Sequence, residues 1–350
     1  MTIKPIKICG ASMVRLVKIC AVILVSSTAL FGQAAVITKT GTTAAQFLKI
    51  GVGARAIGMG GAYTAVADDI SALYWNPAGL SRMASAEAAF NHVNWIADVK
   101  YDAAYASINI EGLGALGLSF SSTNVGDMEV TTTQTPEGTG ERFTAGGTQI
   151  GLAYARNLTD KFSIGFNVKY IHEYIWNESA NSVAMDIGTM YTAPILNGVR
   201  IGASMSNFGP KMRMEGRDAY VYVKSGAGNE NIVNAEYEMD RYELPLLFRV
   251  GVSTDVIQDD NSRLTLAVDA VHPNDNTEYV NSGIEYTWGH LVSLRGGYKS
   301  AFERGTEQGW TFGGGIEYGM TGTVSVVADY AYQDFGRLKE VHYFSVGIKF

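Results

Sequence analysis

The sequence predicts an all-β protein: a 14-stranded antiparallel transmembrane β-barrel with an N-terminal short-helical plug, or hatch, in its lumen. Three observations predict it. The chain opens with an export signal. The remainder is rich in glycine and aromatic residues yet has no long apolar run. From about residue 86, apolar side chains recur at every second position.

The signal comes first. Lys4, Lys7, Arg15 and Lys18 carry positive charge with no acid among them, an apolar run follows from Ile19 to Phe31, and Gly32-Gln33-Ala34-Ala35 supplies small residues for cleavage. Charged, then apolar, then small is the order of a secretory signal. The run is shorter than the roughly 20 residues a spanning helix needs. Met13 is an alternative start that gives a signal of more usual length. Cys9 and Cys20 both fall inside this segment and neither sits in a lipobox, so the mature chain is expected to hold no disulfide, thiolate nucleophile or Cys-ligated metal. Cleavage removes four of the 27 Lys and Arg and none of the 34 Asp and Glu, taking the formal charge from −7 to −11. Such a surface repels nucleic acid and other polyanions.

What remains holds 40 Gly, 19 Tyr and 14 Phe but only 7 Pro, with hydrophobicity spread thinly along it. This composition fits strands that show lipid and lumen alternately.

Residues 35–84 do not alternate. They run through Phe47-Leu48-Lys49-Ile50 into a glycine-rich stretch from Gly51 to Gly61, then Asp68-Asp69-Ile70, Leu73-Tyr74-Trp75 and Asn76-Pro77-Ala78-Gly79-Leu80. Asp69 suits the cap of a short helix whose Ile70, Leu73 and Tyr74 share one face. Asn76 followed by Pro77 is a cap-plus-first-turn arrangement that starts another. The stretch FLKIGVGARAIGMGGAYTAVADDISALYWNPAGL resembles the N-terminal signature of the PorV/PorQ family, within the wider group of FadL-type (fatty-acid-transporter-like) outer-membrane barrels. The resemblance is specific in residues from Phe47 to Leu80 and architectural elsewhere. It implies fourteen strands and a lumenal hatch carrying an Asn-Pro-Ala motif, matched here by Asn76, Pro77 and Ala78.

The barrel is expected over 85–350. In Phe162, Ile164, Phe166, Val168 and Tyr170 the apolar residues alternate with Ser163, Gly165, Asn167 and Lys169; Leu264, Leu266, Val268 and Ala270 alternate with Arg263, Thr265, Ala267 and Asp269. Period two is the strand period. The segments fall at 86–96, 100–110, 113–123, 144–155, 162–174, 181–192 and 199–207, then 245–255, 263–271, 279–288, 291–299, 309–318, 322–332 and 341–350. That is an even number, near the roughly 9–11 residues a tilted strand needs. The longest connections, 124–143 and 208–244, both follow odd strands, whereas turns such as 320–321 follow even ones. Entry from the periplasm therefore places the long connections outside. The last strand alternates through Phe344 to a terminal Phe350, a pattern similar to the signal read by the barrel-assembly machinery. Lumen-side charges of both signs (Lys169, Arg249, Arg263, Asp269, Glu285, Arg295, Glu317, Asp329) are candidates to hold the hatch.

No enzyme, cofactor or metal site is expected. Gly58-Met59-Gly60-Gly61 lacks the strand and helix of a nucleotide loop, and the five histidines show no ligand spacing. The candidate ligand-binding residues are Arg55, Tyr63, Asp68, Asp69, Leu73, Tyr74, Trp75, Asn76, Pro77 and Ala78, an apolar surface with a few fixed polar groups. Expected surroundings are the outer-membrane lipid and lipopolysaccharide of a Gram-negative cell. The role expected first is passage of a hydrophobic small molecule across the outer membrane past the hatch; the alternative that the resemblance also implies is accessory service to type IX secretion by binding exported cargo proteins.

Overall fold

The structure is a computed structural model and describes residues 39–195, 197–224 and 232–350. The expected signal, 1–34, lies outside the described residues, as do the first positions of the 35–84 segment.

Fourteen long strands form one closed ring. They are β1 (Glu87–Asn94), β2 (Lys100–Ile110), β3 (Gly114–Glu129), β4 (Arg142–Asn157), β5 (Phe162–Ile175), β6 (Glu178–Ala193) and β7 (Val199–Phe208), then β11 (Leu247–Gln258), β12 (Ser262–Pro273), β13 (Tyr279–Trp288), β14 (Val292–Ala301), β15 (Trp310–Thr321), β16 (Val324–Asp334) and β17 (Glu340–Lys349). Sequential neighbours pair antiparallel throughout. Two pairings bridge the ends of the series and its longest connection. β1 meets β17, with Ala88 opposite Ile348, and β7 meets β11, with Gly202 opposite Gly251. Closure leaves no edge strand in the ring, which hydrocarbon surroundings would not tolerate.

The side-chain pattern is the reverse of a soluble sandwich. Leu118 and Phe120 on β3, Leu152 on β4, Val168 and Tyr170 on β5, and Phe248 and Val252 on β11 are exposed, while their neighbours Ser119, Ser121, Asn167, Lys169, Arg249 and Ser253 are buried. Apolar residues face out and polar or small ones face in, as the alternation requires. No helix among the described residues is long and apolar enough to cross a membrane.

Two boundaries differ from the sequence expectation. β3 and β4 run on to Glu129 and back to Arg142, past a register shift between Asn124 and Asp127. Beyond that shift the strands no longer alternate apolar with polar, so pattern alone stops short. The 208–244 connection is also not plain loop. It contains β8 (Glu215–Gly216), which pairs with β6, and a hairpin of β9 (Tyr220–Lys224) with β10 (Ile232–Glu236). Phe350 follows β17, donates its N–H to Ala86 O at 2.9 Å and leaves its ring exposed, as does Phe344.

Candidate functional site

Residues 45–83 pack against the inward side chains of the strands. Glycines at 51, 53, 60 and 61 keep the helices short. The segment has a 3₁₀ turn at Gln46–Lys49, helix α1 at Ala54–Gly58, helix α2 at Ala72–Trp75, and a second 3₁₀ turn at Pro77–Arg82. Helices this short leave most of their backbone groups without internal partners. Inward strand residues supply them. The Tyr63 and Thr64 N–H groups donate to Asp269 Oδ2 at 2.9 and 2.8 Å, and Ala54 N–H donates to Ser345 Oγ at 2.8 Å. Ser253 Oγ donates to Ala65 O at 3.0 Å and Ser204 Oγ to Trp75 O at 2.9 Å. Ala45 N–H donates to Glu173 Oε2 at 3.0 Å. Of these partners only Asp269 stands out in the sequence as a candidate to hold the segment. The serines and Glu173 carried no signal, because a lone inward Ser does not reveal which distant backbone atom it meets.

Arg55 is the hub of a charged cluster. Its Nη1 donates to Asp68 Oδ1 at 2.6 Å and Asp69 Oδ2 at 3.0 Å, while Nε and Nη2 fork onto the two oxygens of Glu285, both at 2.9 Å. Tyr63 Oη donates to Asp69 Oδ2 at 2.6 Å, and Arg295 ties Glu285 to Asp329 at 2.7 and 2.5 Å. Burial works against the Arg55 charge, but Asp68 and Glu285 more than offset it and hold the guanidinium above its usual range. Arg55, Tyr63, Asp68 and Asp69 thus come together, in ion pairs with the barrel. Asp69 does not cap α2 directly: Ser71 is the N-cap, and Asp69 Oδ1 accepts the Ser71 N–H at 2.9 Å, closing the turn before the helix.

The other candidates form the packed middle. Leu73, Trp75, Asn76, Pro77 and Ala78 are buried, and Tyr74 is half-buried with its ring edge-on to Trp75 at 5.0 Å. The Arg249 guanidinium lies 5.5 Å from the ring centres of both Tyr74 and Trp75, close enough for cation–π attraction. Asn76 caps the turn as its position before Pro77 suggested, accepting from Ala78 N–H at 3.2 Å. It also donates to Thr64 O at 2.8 Å and to Thr189 O on β6 at 3.1 Å.

The Asn-Pro-Ala turn fits because β5 and β6 present glycine to it. A Cβ on Gly165 would fall 2.3 Å from the Pro77 carbonyl carbon, and one on Gly188 would fall 2.1 Å from Asn76 Oδ1. Gly165→Ala is therefore expected to destabilise the folded chain by about 1–3 kcal/mol through overpacking. Gly314→Ala, whose Cβ would come no nearer than 3.7 Å to any neighbour, is the control and should be near neutral. Urea unfolding of the two variants, followed by tryptophan fluorescence, checks the contrast.

Two cavities flank this middle and share no lining residue. One, about 420 Å³, is polar and lies at the short-turn end around Arg55, Asp68, Glu285, Arg295 and Lys349. The other, about 560 Å³, lies at the long-connection end and is bordered by Phe47, Ile50, Trp95, Val125, Met214 and Lys299. Between them Ile57, Met59, Tyr63, Leu73 and Leu80 are each at most 2% exposed.

Near the second cavity the segment is tied to the β12–β13 connection. Asp275 accepts from Lys49 Nζ at 2.7 Å and from Thr43 Oγ1 at 2.9 Å. Burial raises the Asp275 carboxyl, but these contacts outweigh it and its folded pKa lies below the ordinary value. A depressed carboxylate contributes stability above the unfolded pKa, about 3.9, and loses it as pH falls through the folded value. The 39–50 region is expected to stay protease-resistant at neutral pH and to loosen below about pH 4. Asp275→Asn should already be loosened at neutral pH and show little further acid response, which limited proteolysis across a pH series would read.

Comparison with known proteins agrees with this architecture. The chain is similar in structure to the CymD monoaromatic hydrocarbon channel, with a TM-score of 0.54 and 15% identity over 86% of this chain and 97% of that one. It is also similar to the Pseudomonas putida toluene transporter TodX, with a TM-score of 0.52 and 12% identity over 85% of this chain and 97% of that one. At such identities the likeness is one of fold. No curated protein matches by sequence. Residues 33–272 match the family model described as type IX secretion system protein PorV. That match covers well over half of an outer-membrane barrel of 350 residues, and the chain belongs to the PorV family.

Proposed function

We propose that this barrel serves type IX secretion as an accessory that docks exported proteins on its long outer connections, with residues 35–84 acting as a fixed plug and 85–350 as the membrane anchor. The observation that carries this reading is the filled lumen of a PorV-family barrel. The middle of the segment is buried and bonded to strands on several sides of the ring, between two cavities that share no lining residue. A protein whose interior is occupied works through its ends. The largest connection, 209–246, carries its own hairpin and lies at the end that loop-length parity places outside. Under this reading Phe350 faces the periplasm, where the assembly machinery reads Phe344 and Phe350, and the outward apolar faces meet lipid and lipopolysaccharide.

The test replaces 209–246 by a short Gly-Ser turn. The barrel should still reach the membrane in heat-modifiable form, while proteins exported by the type IX route should accumulate in the periplasm. Normal export from such cells would exclude the reading. A second reading, passage of a hydrophobic small molecule, is favoured by the 560 Å³ cavity with its apolar wall of Phe47, Ile50, Trp95 and Val125. Under that reading uptake of an apolar dye falls on deletion of the gene, and the loop replacement leaves export unchanged.

A further inference from the structure

The hairpin of β9 and β10 is a two-stranded sheet separate from the ring. β10 pairs with β9 and with no other strand among the described residues. Valines 221, 223 and 233 with Ala235 line one face; Tyr220, Tyr222, Lys224, Ile232, Asn234 and Glu236 line the other. Tyr222 is 81% exposed and Ile232 63%. A two-stranded ribbon is marginal by itself, and a free outer strand is a template for a third. Natural edges are blunted with charged side chains, Lys above all, with Pro or with a bulge; β10 has no Lys or Pro and pairs with β9 without a register shift.

This edge carries acids instead. Past β10 the chain reads Glu236-Tyr237-Glu238-Met239-Asp240, alternating acid with apolar. All five are exposed, and Tyr237 N–H still donates to Ala219 O at 2.9 Å, which extends the ladder beyond Glu236. That bond also fixes which groups face outward. Residues 233, 235 and 237 direct their backbone groups toward β9 and the residue before it, so by antiparallel alternation Asn234 and Glu236 direct theirs to the free side; past Tyr237 regular alternation ends, since Tyr242 exchanges both its bonds with Met212.

We propose that the outer edge of β10 is a docking strand for an extended basic segment of a partner protein, with Lys or Arg opposite Glu236 and the neighbouring acids Glu238 and Asp240 adding to the attraction. Main-chain hydrogen bonds supply the affinity of such strand addition, and the charges supply register and choice. The acids also select against other occupants. A second copy would set like charges side by side, and the chain's formal charge of −7 gives it no general attraction to itself. That the partner is an exported protein rests on the docking role proposed above; the chemistry of the edge does not.

Binding to the full-length protein in detergent would be measured with a fluorescent peptide of about eight residues, one strand's length, alternating Lys with Val. The Lys peptide should bind, more weakly as salt rises, and its Glu-for-Lys counterpart should not. The triple variant Glu236→Lys, Glu238→Lys, Asp240→Lys should lose about tenfold or more in affinity for the Lys peptide and gain binding of the Glu peptide. Asn234→Pro deletes an outward N–H without touching the bonds to β9, and should weaken binding by about tenfold while heat-modifiability stays normal. Equal binding of both peptides, or an unaffected Asn234→Pro variant, would overturn the proposal. So would an edge occupied by a second copy, seen as a dimer that Asn234→Pro dissolves, or by phospholipid vesicles in place of peptide. If the peptides behave as expected and loop-replaced cells still export normally, the edge stands and the secretion role fails.

Discussion

Arg55→Ala is expected to cost more stability than any other single change in the N-terminal segment, about 3–5 kcal/mol, because it breaks a buried ion cluster by removing one sign of charge. Arg55 donates to three carboxylates within 3.0 Å, and the Glu285 side chain among them is 1% exposed. Without Arg55, Glu285 keeps Arg295 at 2.7 Å and Arg263 at 3.3 Å, so the loss falls mainly on Asp68 and Asp69. The ring itself depends on ladder pairing that the substitution does not touch. The expected result is a barrel that still reaches the membrane but whose 39–84 segment becomes open to protease and whose urea midpoint falls. Arg55→Lys should recover only part of the loss, since an ammonium cannot fork across both oxygens of Glu285. A wild-type midpoint and digestion pattern for Arg55→Ala would show that the remaining arginines suffice.

Asn76→Ala is expected to be nearly as severe, at about 2–4 kcal/mol, although a helix cap alone is worth about 1 kcal/mol. The difference comes from the other two bonds of Asn76, to Thr64 O and Thr189 O, in a residue with no exposed surface. They clip the turn to the preceding part of the segment and to β6 together. Asn76→Asp separates the contributions: it keeps the acceptor for Ala78 N–H and loses both donors. If the clip dominates, Asp should be as damaging as Ala in urea unfolding. If the cap dominates, Asp should be close to wild type. Raised entry of large antibiotics into cells carrying Asn76→Ala would connect the loss to the barrel's permeability.

Much of the barrel was legible because its cause is local. Alternation of Phe166, Val168 and Tyr170 with Asn167 and Lys169 is a property of adjacent residues, and the structure turns those apolar side chains outward and the polar ones inward. Loop-length parity depends only on strand order, and the two longest observed connections, 130–141 and 209–246, keep it, although the tight turn at 176–177 also follows an odd strand. Legibility ended where the local cause ended. Arg142 and Glu129 lie on strands whose outer parts no longer alternate, and the hairpin at Tyr220–Lys224 and Ile232–Glu236 sits within a connection whose length alone was readable.

By itself, the sequence determined the number and order of the barrel strands, the family carried by Phe47 to Leu80, and the cap at Asn76; the export signal it predicts over 1–34 lies outside the described residues. Only the tertiary structure decided what those residues do together. It set Arg55 against Glu285, 230 positions away, and Ser345 against Ala54, 291 positions away. It also set Gly165 and Gly188 under the Asn-Pro-Ala turn. These contacts follow from the closure of β1 on β17 and of β7 on β11, which fixes the stagger of every strand at once. Periodicity tells each strand which face is inward, but only closure of the ring sets the height at which an inward residue stands, and so which atom of the segment it meets.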